Sequence, residues 1–317
     1  MKQYLDILEY CLTNGTISDN RTGTPTIRVP WGATFTHDMK DGFPLITTKK
    51  MPPKTIFTEL EFFIKGITDK KWLQDRKCHI WDEWGNVDSW MPEFEKKQDI
   101  LRTKQGKEPD EKQLEDCKNQ AMNECRDLGP VYGWQWRHWN GVYQFDPQNP
   151  LNNFSPMYPG IDQLQNVINT AKTNPNDRRL IVNAWNPAYA RRMALPPCHY
   201  SYQILIHNNK VNLIWNQRSC DMFLGIPFNI ASYAMLLLLF AKELGYEPGV
   251  LRGNLGDVHI SENHIPQVKE QLKRDPYKLP TVSVELPYHG MVDWSAKNGF
   301  ILKDYVCHEK LTGEVAR

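Results

Sequence analysis

The apolar run Ile230–Ala241 constrains this chain more than any other stretch. It has twelve residues and ends at Lys242. A bilayer core of roughly 30 Å needs about 20 such residues, so the run reads as a buried core helix rather than a membrane span. The composition can supply such a core. Of 317 residues, 40% are hydrophobic and 24% charged, which leaves wholesale disorder unsupported. A net charge of +1 gives no general drive toward nucleic acid or an anionic membrane, and neither partner is expected. The N-terminus, Met1 to Tyr10, is amphipathic and carries acids, unlike a signal peptide. Seven cysteines, an odd number and scattered, argue for reduced thiols and a cytoplasmic location.

The pattern along the chain predicts alternating helices and strands. Tyr4, Leu5, Ile7, Leu8 and Leu12 have helical spacing over residues 1–14. Asn20-Arg21-Thr22-Gly23-Thr24-Pro25 reads as a turn. Thr26 to Thr36 has strand character, broken at Pro30-Trp31-Gly32. Lys54 to Lys65 and Ile161 to Lys172 read as helices. Leu180 to Ala184, Tyr200 to Ile206 and Val211 to Trp215 read as strands, the last two joined by a hairpin turn at His207-Asn208-Asn209-Lys210. Asn229 to Leu244 is the central helix, stopped by Gly245 as a left-handed cap. Residues 85–126 are polar with weak apolar spacing and read as a solvated helical insertion or a loop. A second polar insertion covers about 140–160. With no repeats and no low-complexity linker, the expectation is one α+β domain over 1–317 carrying two insertions.

The chemistry concentrates between Leu195 and Asn229. Leu-Pro-Pro-Cys-His at 195–199 is followed by Asn-Gln-Arg-Ser-Cys-Asp at 216–221 and by Gly-Ile-Pro-Phe-Asn at 225–229. A lone cysteine is most often a small buried hydrophobe. Here Arg218 lies on the far strand of the hairpin that begins just after Cys198, and a nearby guanidinium raises the thiolate fraction. His199 is a possible base, but strand neighbours point to opposite faces, which places it poorly to activate Cys198 directly. Arg21, Arg178, Arg179 and Arg218 stand at element ends. Each is either ordinary surface charge or a fork for a phosphate. Glu59 sits among apolar residues, where a carboxylate can be tuned to move protons near neutral pH; Glu61 is the one expected to face solvent. No metal-ligand spacing, phosphate loop or dinucleotide fingerprint is present in the sequence, so no metal is expected. Trp81, Trp84, Trp134, Trp136 and Trp139 are dense enough to stack on a flat cofactor, although packing is the commoner use.

Taken in order, these motifs resemble the thymidylate synthase family. The resemblance runs from Asn20-Arg21-Thr22-Gly23-Thr24 through Asp41–Lys49, Ile80–Trp84, Leu128–Gly133 and Arg178–Val182. It continues through the blocks above to Gly256-Asp257-Val258-His259. It implies a single α+β domain on a large mixed sheet, a long buried central helix and a sheet-mediated homodimer. The implied activity is reductive methylation of C5 of dUMP, giving dTMP, with 5,10-methylenetetrahydrofolate as co-substrate and one-carbon and hydride donor. Cys198, Glu59, Arg218, Tyr132, Asp221 and His199 match catalytic positions. Arg21, Arg178, Arg179 and Arg218 match a phosphate clamp, with Arg178 and Arg179 reaching the partner subunit's site. Gln217, Ser219, Asp221, Asn229, His259 and Ser261 fall at the family's other nucleotide positions. Lys49, Ile80, Trp81, Trp84, Leu195, Asp221, Gly225, Phe228 and Ala316 fall at folate positions. An amide at Asn229 suits the N3–H and O4 of uracil.

The sequence also departs from the family pattern. His259-Ile260-Ser261 stands where the family has His-x-Tyr, and serine lacks an aromatic ring's reach toward the sugar. The strand after Cys198 reads Tyr202-Gln203-Ile204-Leu205, and the chain ends Glu314-Val315-Ala316-Arg317 rather than in a small apolar residue. These departures keep other outcomes open. They include a dUMP 5-hydroxymethylase, in which water replaces hydride, a variant acting on a ribonucleotide, and a paralogue retained for binding alone.

Overall fold

The computed structural model describes residues 1–20, 22–151 and 153–314. In chain order the helices are α1 (Lys2–Asn14), α2 (Pro53–Ile64), α3 (Lys70–Gln74), α4 (Val87–Gln105), α5 (Glu111–Glu124), α6 (Tyr132–Arg137), α7 (Gln163–Thr173), α8 (Gly225–Leu244) and α9 (Ile265–Leu272). The strands are β1 (Thr16–Ser18), β2 (Thr26–Val29), β3 (Ala33–Asp38), β4 (Ile181–Asn183), β5 (His199–His207), β6 (Lys210–Asp221), β7 (Glu247–Ser261), β8 (Thr281–Val284) and β9 (Phe300–Lys303). The chain divides into two compact units. One comprises 1–60, 166–182 and 198–317; the other comprises 61–165 and 183–197.

The first unit is built on a seven-stranded sheet in the order β1-β2-β7-β6-β5-β4, with β3 also pairing to β7. β6 and β7 run parallel, while β5–β6, β2–β7 and β3–β7 are antiparallel, so the sheet is mixed. The expected α+β class and large mixed sheet are therefore observed. The β5–β6 hairpin closes on Asn208 and Asn209, both left-handed at φ 48° and 58°. Two positive-φ residues form the turn that matches strand twist, and asparagine tolerates that region better than most side chains.

Helix α8 lies on one face of β6 and β7. It is longer than its apolar centre, beginning at Gly225, and it ends where Gly245 takes φ 75° and donates to the Ala241 carbonyl. By length and composition it qualifies for crossing a membrane, but 72% of its apolar window is buried inside the protein. Ile230, Leu236, Leu237, Leu239 and Phe240 are fully buried. Each such side chain stabilises the fold by about 1.5–3 kcal/mol, which is how a helix apolar on nearly every side becomes a core element. The opposite sheet face carries Thr34, Asn216, Arg252 and Asn254, half-buried or exposed.

Strand β7, fifteen residues long, was not anticipated from its sequence. Its glycines dilute the apolar alternation, and its partners lie far away along the chain.

In the second unit, residues 85–126 contain two helices. Asn86 caps α4, and Gly106 ends it in the left-handed region. Asp110 and Gln113 form a reciprocal capping box that starts α5. Residues 140–160 hold no helix or extended strand among those described. Isolated bridges join Trp139 to Ile161 and Tyr143 to Phe154.

Candidate active site

In the first unit, the site residues gather at adjoining ends of β5, β6, β7 and α8. Cys198 is half-buried immediately before β5, and its carbonyl accepts from the Arg218 amide at 2.8 Å. The β5–β6 register shifts between His199 and Ser201. Such a bulge re-aims side chains at a strand end. His199 points to the core. Its Nδ1 lies 2.9 Å from the Tyr233 hydroxyl on α8, and burial pulls its pKa down to about 3. The ring is therefore neutral at physiological pH and turned into the core.

Strand β6 then supplies Gln217, Arg218, Ser219 and Asp221. Gln217 is buried at 3% exposure, whereas Arg218 is exposed. The Gln217 Nε2 donates to the Ser219 carbonyl and to Asn229 Oδ1, each at 2.9 Å. Asn229 is half-buried in the first turns of α8. Asp221 Oδ1 accepts from the Phe223 and Leu224 amides, both at 2.9 Å, and so turns the chain into α8. Both of these bonds fall on Oδ1, so Oδ2 keeps its capacity to accept from N–H donors. Lys49 is buried beneath this turn. Its ammonium donates to the Phe223 carbonyl and sits 3.8 Å from the Phe223 ring centroid. Burial lowers its pKa to about 8, with the Asp221 charge opposing that shift. Gly225 and Phe228 are half-buried around the start of α8, and a Cβ at Gly225 meets only ordinary contacts.

On β7, His259 pairs in register with Asp221. Its Nδ1 lies 3.0 Å from the Asp257 carbonyl, and Asp257 is bridged to Arg28 at 2.7 Å. Burial alone lowers the His259 pKa, but hydrogen bonding to Asp257 and the Asp221 charge reverse this and hold it above its usual value. Ser261 is buried in register with Thr26 on β2.

The remaining candidates divide as follows. Arg178 and Arg179 are exposed just before β4. The Arg178 carbonyl accepts from Gln203 at 2.8 Å, and the Arg179 guanidinium grips Asp177 through bonds of 2.9 and 2.7 Å. Glu59 is half-buried on α2. Glu61, expected to face solvent, is instead 3% exposed and paired to Lys65 at 3.2 Å. The i, i+4 partner explains how that carboxylate tolerates burial. Arg21 and Ala316 lie outside the described residues, as does the terminal Arg317.

The second unit holds Ile80, Trp81, Trp84, Tyr132 and Leu195. Tyr132 stacks on Phe63 with centroids 4.8 Å apart, and Trp81 meets Tyr132 edge-on at 6.0 Å. Gly133 permits this, because a Cβ there would lie 2.1 Å from the Phe63 carbonyl oxygen. Trp81 is buried, Trp84 and Leu195 are half-buried, and Ile80 is exposed. Trp134 and Trp136, dense in the sequence, are buried packing residues.

Sequence reasoning missed two groups that organise the site. Trp215 Nε1 donates to Gln217 Oε1 at 3.1 Å, and the Trp215 indole stacks on Tyr233 at 5.2 Å and 8°. The available signals were the i, i+2 spacing of Trp215 and Gln217 and the i, i+4 spacing of Asn229 and Tyr233 on α8.

The thymidylate synthase family model matches residues 2–317. A thymidylate synthase of Listeria monocytogenes serotype 4a (strain HCC23) is 41% identical over 293 residues, covering 88% of each chain. A thymidylate synthase of Mycoplasma genitalium is 44% identical over 286 residues, covering 89% of this chain and 88% of that one. With its motifs in family order and a family match over nearly its whole length, this chain belongs to the thymidylate synthase family.

Proposed function

We propose that this chain converts dUMP to dTMP by reductive methylation at C5, through a covalent adduct between Cys198 and C6 of the pyrimidine. The observation that carries the reading is the grouping of Cys198, Gln217, Arg218 and Asn229 where β5, β6 and α8 meet. Addition of a thiolate to C6 places an enolate-like nucleophile at C5 and disperses charge onto the ring oxygen. Cys198 supplies the sulfur, and Arg218 supplies a nearby cation that favours thiolate over thiol. Asn229 reads the uracil edge. Glu59, helped by Tyr132, moves protons at the ring oxygen and at C5. His199 acts through position rather than by taking a proton, since burial keeps it neutral. Gln217, Ser219, His259 and Ser261 complete the nucleotide pocket. Arg218 joins Arg21, Arg178 and Arg179 in holding the phosphate.

5,10-Methylenetetrahydrofolate, consumed as co-substrate, supplies the one-carbon unit and the hydride. Asp221, with a carboxylate oxygen in hand for ring N–H groups, fits the pterin. Trp81, Trp84, Ile80, Leu195, Gly225, Phe228 and Ala316 provide the apolar surroundings, and Lys49 stands toward the glutamyl end. On this reading, residues 1–317 act as one catalytic domain in a cytoplasmic homodimer. Arg178 and Arg179, both exposed, reach the partner subunit's site. The unfilled polar face of the sheet supports that pairing.

The test is one reaction of the purified protein with dUMP and methylenetetrahydrofolate. It is followed at about 340 nm for dihydrofolate, with mass spectrometry of the nucleotide. Rising absorbance with dTMP is expected. A flat trace with 5-hydroxymethyl-dUMP overturns hydride transfer, and an unmodified nucleotide overturns the activity altogether.

A further inference from the structure

We propose that Trp215 is a specificity-determining positioning residue, which favours uracil over cytosine by fixing which end of the Asn229 amide faces the base. The proposal rests on the reading of Asn229 as the contact to the pyrimidine edge. An indole N–H donates and cannot accept. Trp215 Nε1 lies 3.1 Å from the Gln217 side chain, so the group it meets must be the amide oxygen. The other end of that amide is then the NH2. It faces two acceptors at 2.9 Å, the Ser219 carbonyl and the Asn229 side chain. A backbone carbonyl accepts and cannot donate, so Gln217 is locked from both sides. Asn229 must therefore turn Oδ1 toward Gln217 and keep its Nδ2 for other partners.

This polarity decides between bases. The Asn229 Nδ2 is a donor, which suits the O4 acceptor of uracil and opposes the N4 amino group of cytosine. The second lone pair of Oδ1 remains available for the uracil N3–H. The lock is rigid because Trp215 is fully buried and its indole lies parallel to the Tyr233 ring, which also holds His199. Room for the indole comes from the neighbouring strand. At Gly253 a Cβ would stand 2.3 Å from the Trp215 ring, so only glycine lets the indole reach this position.

The experiment measures equilibrium dissociation constants of dUMP and dCMP for the wild type, Trp215→Phe and Gln217→Glu, and compares the ratio Kd(dCMP)/Kd(dUMP). Phenylalanine keeps an aromatic ring against Tyr233 but removes the N–H. The ratio is expected to fall by about three- to tenfold, the range for loss of one buried hydrogen bond. Glutamate keeps Trp215 intact but presents an acceptor to Asn229, which draws the Asn229 NH2 away from the base. The ratio is expected to fall by more than about tenfold. A general loss of stability weakens both nucleotides alike and leaves the ratio unchanged. A Trp215→Phe ratio within about twofold of wild type overturns the role of Trp215. Where that variant does not fold, an unchanged ratio in Gln217→Glu overturns the polarity lock. A wild type that binds neither nucleotide, or prefers dCMP, instead overturns the functional reading beneath it.

Discussion

The two units bury polar groups in opposite ways. In the second unit, Lys70 is 1% exposed and spends its ammonium donors on the carbonyls of Asp82, Trp84 and Met122 at 2.7, 2.8 and 2.7 Å. Asp127, equally buried, accepts from the Gly129 amide and the Tyr143 hydroxyl on one oxygen, and from Asn86 and Ser89 on the other. These clusters are closed, with donors and acceptors matched inside the protein. In the first unit the relay from Trp215 through Gln217 ends at Asn229, whose Nδ2 donates to no group among the described residues. A closed cluster ties loops together. An open one presents a chosen donor to something outside the chain. Closed clusters should therefore govern stability, and open ones should govern chemistry.

The sharpest way to break that division is to remove Cys198. Cys198→Ala should lower dTMP formation by at least about 10⁴-fold, the scale seen when a nucleophile is deleted, while dUMP binding remains measurable by calorimetry. A drop of less than about tenfold would sink the covalent mechanism. The matching experiment in the closed cluster is Lys70→Met. It strands three partly buried carbonyls, each of which costs about 1–3 kcal/mol when left unsatisfied. We expect about 3–5 kcal/mol of lost unfolding free energy in urea, with the dUMP dissociation constant of the folded protein changed by less than about twofold. Unchanged stability would mean that the cradle is decorative.

How much of this was legible in advance follows the same physics. The central helix and its Gly245 cap, the Asn208–Asn209 turn, and the cluster from Cys198 to Asn229 were all readable, because each is specified by residues close in sequence. Strand β7 was not. Its Gly253 makes sense only against the Trp215 ring, which arrives from another strand. Lys70 stands in Asp69-Lys70-Lys71, which looks like solvated charge. Its burial depends on carbonyls 12, 14 and 52 residues away. Glu59 is half-buried as expected, but Glu61 is buried rather than exposed, because two residues on a helix differ by about 200° of rotation and which face packs is settled by the tertiary partner. Asn229 was legible as a candidate site residue, but the orientation of its amide was not, since Trp215 acts on it only through Gln217.

A finer test uses a buried cation beside the open site. Burial brings Lys49 to about 8, against an ordinary lysine value of 10.5. Between these values the unfolded chain binds more protons than the folded one, so stability rises with pH across that window. Below about 8 the cost of holding the buried charge is fully present. We expect wild-type unfolding free energy, relative to Lys49→Met, to increase by about 2–3 kcal/mol between pH 7.5 and 10. A difference that stays flat with pH would show that the Phe223 carbonyl and ring hold the ammonium without penalty.

The smallest effect should come from the surface of the insertion, where polar groups are neither closed in nor aimed at a ligand. Lys97 on α4 pairs with Glu124 on α5 at 2.9 Å, and the Glu124 side chain is 53% exposed. Lys97 holds the Glu124 carboxyl below its ordinary pKa. That shift measures attraction in a solvated setting, where water and salt screen the pair and ordering two long side chains costs entropy. Lys97→Ala should therefore change unfolding free energy by less than about 1 kcal/mol, and the change should shrink further as salt is raised from 0.05 to about 0.5 M. Activity should stay within about twofold of wild type, as for a surface substitution away from packed or paired groups. A loss comparable to that of Lys70→Met would place surface charge alongside the buried cradle in holding α4 to α5. The insertion would then be fastened from outside as well as from within.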